Sequence, residues 1–174
     1  MNKNLAFEYF VSQLLNWHQE VVGDNGRNDF STLKVLKLLF FATAIGTEKG
    51  QRETLLDSPF NTFYAMPYGH VESEIYDTIR NNQLPNLKIT NSSSSFINTI
   101  DYPDGELKNK IDFSINKLKS ENINLIKMSP FELVELSHAW YSWKFYIAKA
   151  RRNGAYSELI PNEIIKSEQK FFHL

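Results

Sequence analysis

The stretch Leu33-Lys-Val-Leu-Lys-Leu-Leu-Phe-Phe-Ala-Thr-Ala-Ile45 decides the fold. Leu33, Leu36, Leu38, Leu39, Phe40, Phe41, Ala42 and Ile45 are apolar nearly all round a helical wheel, the mark of a helix buried on most of its faces. Asp29 or Ser31 supplies an N-cap and Gly46 suits the C-cap, so this segment is expected to be the central helix of a domain. Its longest apolar run, Leu38 to Ile45 broken only by Thr43, falls far short of the roughly 20 residues that cross a bilayer.

Upstream of it, Phe7, Phe10, Val11, Leu14, Leu15, Val21 and Val22 recur mostly at three- and four-residue steps, which predicts a first helix over residues 4 to 22. Gly23-Asp-Asn-Gly-Arg-Asn-Asp29 then gathers the residues that favour turns. Downstream, Asp57 to Gly69 carries turn chemistry at Asp57-Ser-Pro59 and Met66-Pro-Tyr-Gly69 with aromatics between, and reads as a packed connection. Val71, Ile75 and Ile79 predict a third helix ending near Arg80, with Glu72 and Glu74 as solvated charges at its positive end.

Residues 81 to 102 form a polar, mobile connection with at most a short strand at Leu87 to Ile89. Asp104 is positioned to cap a half-buried helix bearing Leu107, Ile111, Ile115 and Leu118. Ser129-Pro-Phe-Glu132 is a capping box with proline at the first helical position. After it, Leu133, Leu136, Trp140, Trp143 and Ile147 make one stripe that ends at Asn153-Gly154. Pro161 opens a last helix through Ile164, Ile165 and Phe171. The sum is a mainly α chain: residues 1 to 174 as a single irregular helical domain of about six or seven helices, with little or no strand.

Composition narrows the function classes. The 174 residues are 42% apolar, with thirteen Phe, eight Tyr and three Trp, enough aromatic surface for a substantial core. Nineteen basic against 20 acidic side chains leave a net charge of -1, so the global cationic excess that holds nucleic acid is missing. The cluster Lys149-Ala-Arg-Arg152 is accounted for by the negative end of a helix dipole, which argues against nucleic acid as the partner. With no cysteine, disulfides, thiol nucleophiles and cysteine-held metals are excluded. Glu8 interrupts what a signal peptide would need as its apolar core, which predicts a cytoplasmic protein with no membrane insertion.

No glycine-rich phosphate loop or nucleophile elbow is present. His18, His70, His138 and His173 form no His-Glu-x-x-His pair. Glu135-Leu-Ser-His138 has the Glu-x-x-His spacing of di-iron bundles, but such sites need it twice and it occurs once. No metal ligand, cofactor or catalytic residue is therefore assigned, and His138 is expected to cap or to pack beside Trp140. An enzyme would need Glu72, Glu74, Glu135 and His138 to converge in one pocket.

Two separated stretches together carry a family resemblance. Leu33 to Ala42 with Phe63-Tyr-Ala-Met-Pro-Tyr-Gly-His-Val-Glu72 and Ile75-Tyr76 resembles the "L-x-K-L-L-Y-x-A" helix and "F-x-A-x-x-Y-G-P-V…I-Y" segment of the Panacea domain. This is the SocA-like or phage-associated antitoxin domain of bacteria and their mobile elements. Val35 stands at the family's first leucine and Phe40 at its tyrosine. Leu133-Val-Glu-Leu-Ser-His138 with Trp143 is similar to the family's "L-x-x-L-(S/T)-H…W" helix, and Ile164-Ile165 sits at the closing helix. The likeness runs over about residues 5 to 172. His70 departs from it, standing where the family usually has proline, which predicts an altered turn with a titratable group in it.

The resemblance implies a non-enzymatic protein without cofactors that binds and neutralises a toxin encoded beside it, by direct protein contact. A proteolytic adaptor or phage accessory protein that binds a host protein is the alternative. Tyr68, Gly69, His70, Val71 and Glu72 are the first candidates for an interaction surface, because a turn entering a helix presents polar groups and an aromatic together. His138 and Trp143 join them as motif residues. The competing expectation is that Tyr68 and Val71 are core and that Gly69 supplies an unusual backbone angle.

Overall fold

A computed structural model describes residues 1–23 and 27–174. Asp24, Asn25 and Gly26, the middle of the turn expected after the first helix, lie outside the described residues. The described chain is mainly helical with a small sheet: seven α-helices, one 3-10 turn and five short strands.

Helix α1 spans Lys3–Val22, and the Asn2 side chain accepts a hydrogen bond from the Leu5 amide to cap it. Helix α2, Thr32–Ala44, is capped by Ser31, which accepts from the Lys34 amide at 3.2 Å. Gly46 takes the left-handed conformation just beyond its end. Eleven of the thirteen α2 residues are buried, so its all-round apolar pattern does mark a central element. Two of those eleven are lysines. Lys34 reaches out to Asp29 at 2.7 Å, while Lys37 points into the interior.

The connection between residues 57 and 69 is more than a packed loop. Strand β1, Phe63–Met66, pairs antiparallel with β2, Gly69–Glu72, through a two-residue turn at Pro67-Tyr68. Strand β5, Glu158–Leu159, pairs with the other edge of β1, giving the order β2-β1-β5. Every residue of β2 is buried, because α2 and α5 (Pro130–His138) pack against it. Val71 therefore belongs to the strand, and α3 covers Ser73–Arg80 with Ile75 and Ile79 inward.

The polar connection 81–102 closes into a second hairpin. Strand β3, Leu87–Ile89, pairs with β4, Ser94–Phe96, a strand that alternation did not reveal in the serine run. Ser94 is buried and donates to the Phe30 carbonyl at 2.6 Å, an example of a small hydroxyl satisfying a buried backbone group.

Helix α4, Glu106–Glu121, lies against α1 and α2 and buries Ile111, Ser114, Ile115 and Leu118. Asp104 does not cap it. Gly105 occupies the cap position, and Asp104 accepts from Lys108 at 2.7 Å one turn on, as an exposed i, i+4 pair. A 3-10 turn at Leu125–Lys127 leads to α5, where the capping box is present in full: Ser129 Oγ accepts from the Glu132 amide and Glu132 accepts from the Ser129 amide.

The stripe from Leu133 to Ile147 is not one helix. The chain is extended at Trp140 (φ -73°, ψ 138°), which ends α5 and starts α6 at Tyr141–Arg152. The break swings the Trp140 ring into the core, where it meets Phe40, Phe41, His70 and Phe172, while its Nε1 donates to the Phe171 carbonyl at 3.1 Å. Burying so large a ring with its N–H paired offsets the helical hydrogen bonds lost at the break. The last helix, α7, covers Asn162–Ser167 and stops short of Phe171, which lies in the extended tail against the core.

Candidate functional site

The two stretches that resemble the family motif meet around the β1–β2 turn. Gly69 has a φ of +97°, a region that favours glycine. A Cβ there would lie 2.5 Å from Ser137 Oγ on α5 and 3.0 Å from Lys37 Cε on α2. Glycine is thus needed twice, for the backbone angle and for the approach of the hairpin to both helices.

His70 follows, fully buried, its ring stacked on Phe40 with centroids 3.6 Å apart and planes within 6°. Its backbone amide donates to Ser137 Oγ at 3.1 Å, and Nδ1 lies 2.8 Å from the same oxygen. Nε2 lies 2.7 Å from Ser142 Oγ on α6. The Ser142 amide donates to the Glu168 carboxylate at 2.9 Å, and the Ser142 hydroxyl also bonds to that carboxylate.

One proton arrangement satisfies this whole chain. Ser142 donates to Glu168 and accepts from Nε2–H, and Ser137 accepts from the His70 amide and donates to Nδ1. The imidazole is then neutral with its proton on Nε2. Burial, then the Lys37 charge, then His138 hold its pKa well below the ordinary 6.5, in keeping with that neutral form. The expected titratable turn is real in residue type but silent at neutral pH.

Lys37 completes the layer. Its side chain is fully buried, and Nζ donates to the His70 carbonyl at 2.5 Å. Burial alone pushes its pKa from 10.5 to about 7, since removing an ammonium from water favours the neutral amine. Desolvation also lowers the pKa of His138, with the Lys37 charge as the next cause.

His138 does not pack beside Trp140. It stacks on Trp143, centroids 3.5 Å apart, and donates to the Pro67 carbonyl, leaving Nε2 buried without a partner. Trp143 Nε1 donates to the Met66 carbonyl at 2.7 Å. The two rings therefore clasp the hairpin turn through consecutive backbone carbonyls.

Glu72 is not a solvated helix-start charge. It is fully buried and caps α3 by accepting from the Ile75 amide at 2.8 Å, while its other oxygen accepts from Lys3 at 2.7 Å and from the Thr62 amide at 3.3 Å. Exposed Glu74 also pairs with Lys3. Glu72 and Glu74 thus gather at one end of β2, whereas His138 sits at the other and Glu135 faces solvent, so the four do not converge. Among the described residues no group of three His, Asp or Glu side chains could hold a metal ion. No described helix is long and apolar enough to cross a membrane.

Of the sequence-selected residues, Gly69, His70, His138 and Trp143 come together. Val71 is core at 7% exposure, whereas Tyr68 stands out at the turn with 60% of its surface in solvent. Lys37, Ser137, Ser142 and Glu168 were not singled out. A signal existed only for the lysine, a charge on a helix otherwise apolar all round. Glu168 carried none, because its role depends on where the tail returns. Compared with protein-family models, curated proteins and solved structures, the chain matches none of them.

Proposed function

We propose that the protein is a non-enzymatic binding module of the Panacea type, an antitoxin that neutralises a toxin encoded nearby by direct protein contact. The observation that carries the reading is the meeting of the two motif stretches at His70. Residues 37, 69, 70, 137 and 138, drawn from both, form one sealed polar layer around the hairpin turn. In that reading the motif specifies a scaffold, and recognition belongs to the surface that the scaffold holds rigid.

The same layer speaks against chemistry at these residues. The polar atoms of His70, Ser137 and Ser142 are engaged with one another, and all three residues are buried, so a substrate would have to displace the core to reach them. Tyr68 at the tip, held from behind by His138 and Trp143, is the part of the motif that a partner can touch.

The test is to express the open reading frame adjacent to this gene with and without the chain, following growth and co-purification. Rescue of growth with a stable complex supports the antitoxin. A harmless neighbour with no complex would overturn that role and put the adaptor or accessory protein, binding a host protein, in its place.

A further inference from the structure

The outer face of α6 combines features that the core packing does not explain. Tyr141, Lys144, Phe145, Ala148, Arg151 and Arg152 recur at three- and four-residue steps and all are exposed, whereas Ser142, Ile147 and Ala150 face inward. The rings of Tyr141 and Phe145 stack on each other, centroids 5.6 Å apart, with 56% and 42% of their residue surfaces in water. The helix holds four cations and no carboxylate. Lys149 is paired with Glu158, but Lys144, Arg151 and Arg152 form no ion pair among the described residues. Beyond Arg151 the face runs into a cleft of about 410 Å³ against the hairpin turn, lined by Pro67, Ile147, Arg151, Gly154 and Tyr156. Tyr156 is 88% exposed.

We infer that this face is the docking site for an acidic amphipathic segment of a partner protein. The inference rests on the protein-binding reading above and names the surface and the partner's chemistry. Apolar side chains of the segment lie against Tyr141, Phe145 and Tyr156, and its carboxylates meet Lys144, Arg151 and Arg152. Charge complementarity fixes the sign, because an acid-free basic face repels a basic segment. The helix dipole accounts for cations in the last turn, but neither for Lys144, two turns earlier, nor for paired rings in water. Aromatics with arginine are the residues that dominate protein interfaces. Three cations give nucleic acid a weak, salt-sensitive grip, which favours protein over phosphate.

The experiment is an amide NMR titration of the full chain at physiological salt. The probes are a short amphipathic peptide of Glu, Leu and Ala, its Lys-for-Glu counterpart, and a single-stranded oligonucleotide. The acidic peptide is expected to shift residues 141–152 and Tyr156, with affinity falling on the order of tenfold or more in Lys144→Glu/Arg151→Glu/Arg152→Glu. Tyr141→Ala/Phe145→Ala, which alters only exposed rings, is expected to weaken it as well. No shift, shifts elsewhere, equal binding of the Lys peptide, tighter binding of the oligonucleotide or self-association through this face would each overturn the proposal. Growth rescue by the charge-reversed variant would overturn the docking surface and leave the antitoxin reading standing. Failure of rescue by the native chain bears on the antitoxin alone, and the peptide titration still decides the surface.

Discussion

Replacing Lys37 by methionine isolates the cost of keeping an amine in the core. Folding moves the Lys37 pKa from 10.5 down to about 7, so between those values the unfolded chain holds a proton that the folded chain lacks. Stability therefore rises with pH across that window, is lowest below it, and loses its dependence on this group above 10.5. The full difference corresponds to roughly 5 kcal/mol at about 1.4 kcal/mol per pH unit, and about 3 kcal/mol of it falls between about pH 6.5 and about pH 9.5.

Methionine keeps the length and loses the charge, at a cost of about 1 to 3 kcal/mol for the unpartnered His70 carbonyl. That cost does not vary with pH, so the comparison of slopes is clean. Urea unfolding followed by the fluorescence of Trp17, Trp140 and Trp143 gives the difference between the two chains at each pH. The variant's stability relative to the native chain should fall by roughly 3 kcal/mol over that range. The upper limit matters, because burial raises the Tyr102 pKa to about 12 and raises that of Tyr9, and each removes stability above pH 10. A constant difference across the range, or one of opposite sign, would refute the assignment of Lys37 as a buried amine without a counter-charge.

Further outcomes follow from the same geometry. Gly69→Ala combines a left-handed backbone angle with overlap against Ser137 Oγ and should lower stability by roughly 2 to 5 kcal/mol in urea unfolding; a loss under about 1 kcal/mol would mean the hairpin can withdraw from α5. The His70 imidazole should give the nitrogen NMR signature of the neutral Nε2–H tautomer as pH falls through 6.5, the unfolded value. Below that point the unfolded state takes up the proton and stability declines, whereas an imidazolium signal near neutral pH would contradict the Ser137–His70–Ser142–Glu168 chain. Ser129→Ala removes the capping box of α5 and should cost about 1 kcal/mol, with an unchanged denaturant midpoint as the contrary result.

The polar layer also gives a physical reason for the break at Trp140. A continuous helix would carry Ser142 past His70, and only by extending the chain for one residue does α6 start where Ser142 can receive Nε2–H while its amide meets Glu168. The same extended residue places the Trp140 ring edge-on to Phe40 and His70. Phe40 is thus the hub of the site, stacked on the imidazole and edged by Phe63 and Trp140. Nothing in the spacing of Leu133, Leu136, Trp140 and Trp143 announces the break, since three- and four-residue steps persist across it.

By itself the sequence determined the helical character, the span of α1, the buried centrality of α2 and the capping box of α5. Each is written in neighbours three or four residues apart, or in a cap adjacent to the helix it begins. It also pointed to the segment from Gly69 to Glu72 and to His138 and Trp143, through motif order and not through any visible chemistry. Tertiary structure alone decided that Glu72 is buried and paired with Lys3, that Asp104 is not a cap, and that the serine run contributes a strand. It also brought residues 37, 70, 137, 142 and 168 into one hydrogen-bonded layer. The reason is that burial and pairing of a polar group depend on what returns to it from far along the chain. A lysine on a helical wheel shows its face, but whether that face meets water, a carboxylate or a backbone carbonyl is fixed only when the remaining elements have packed.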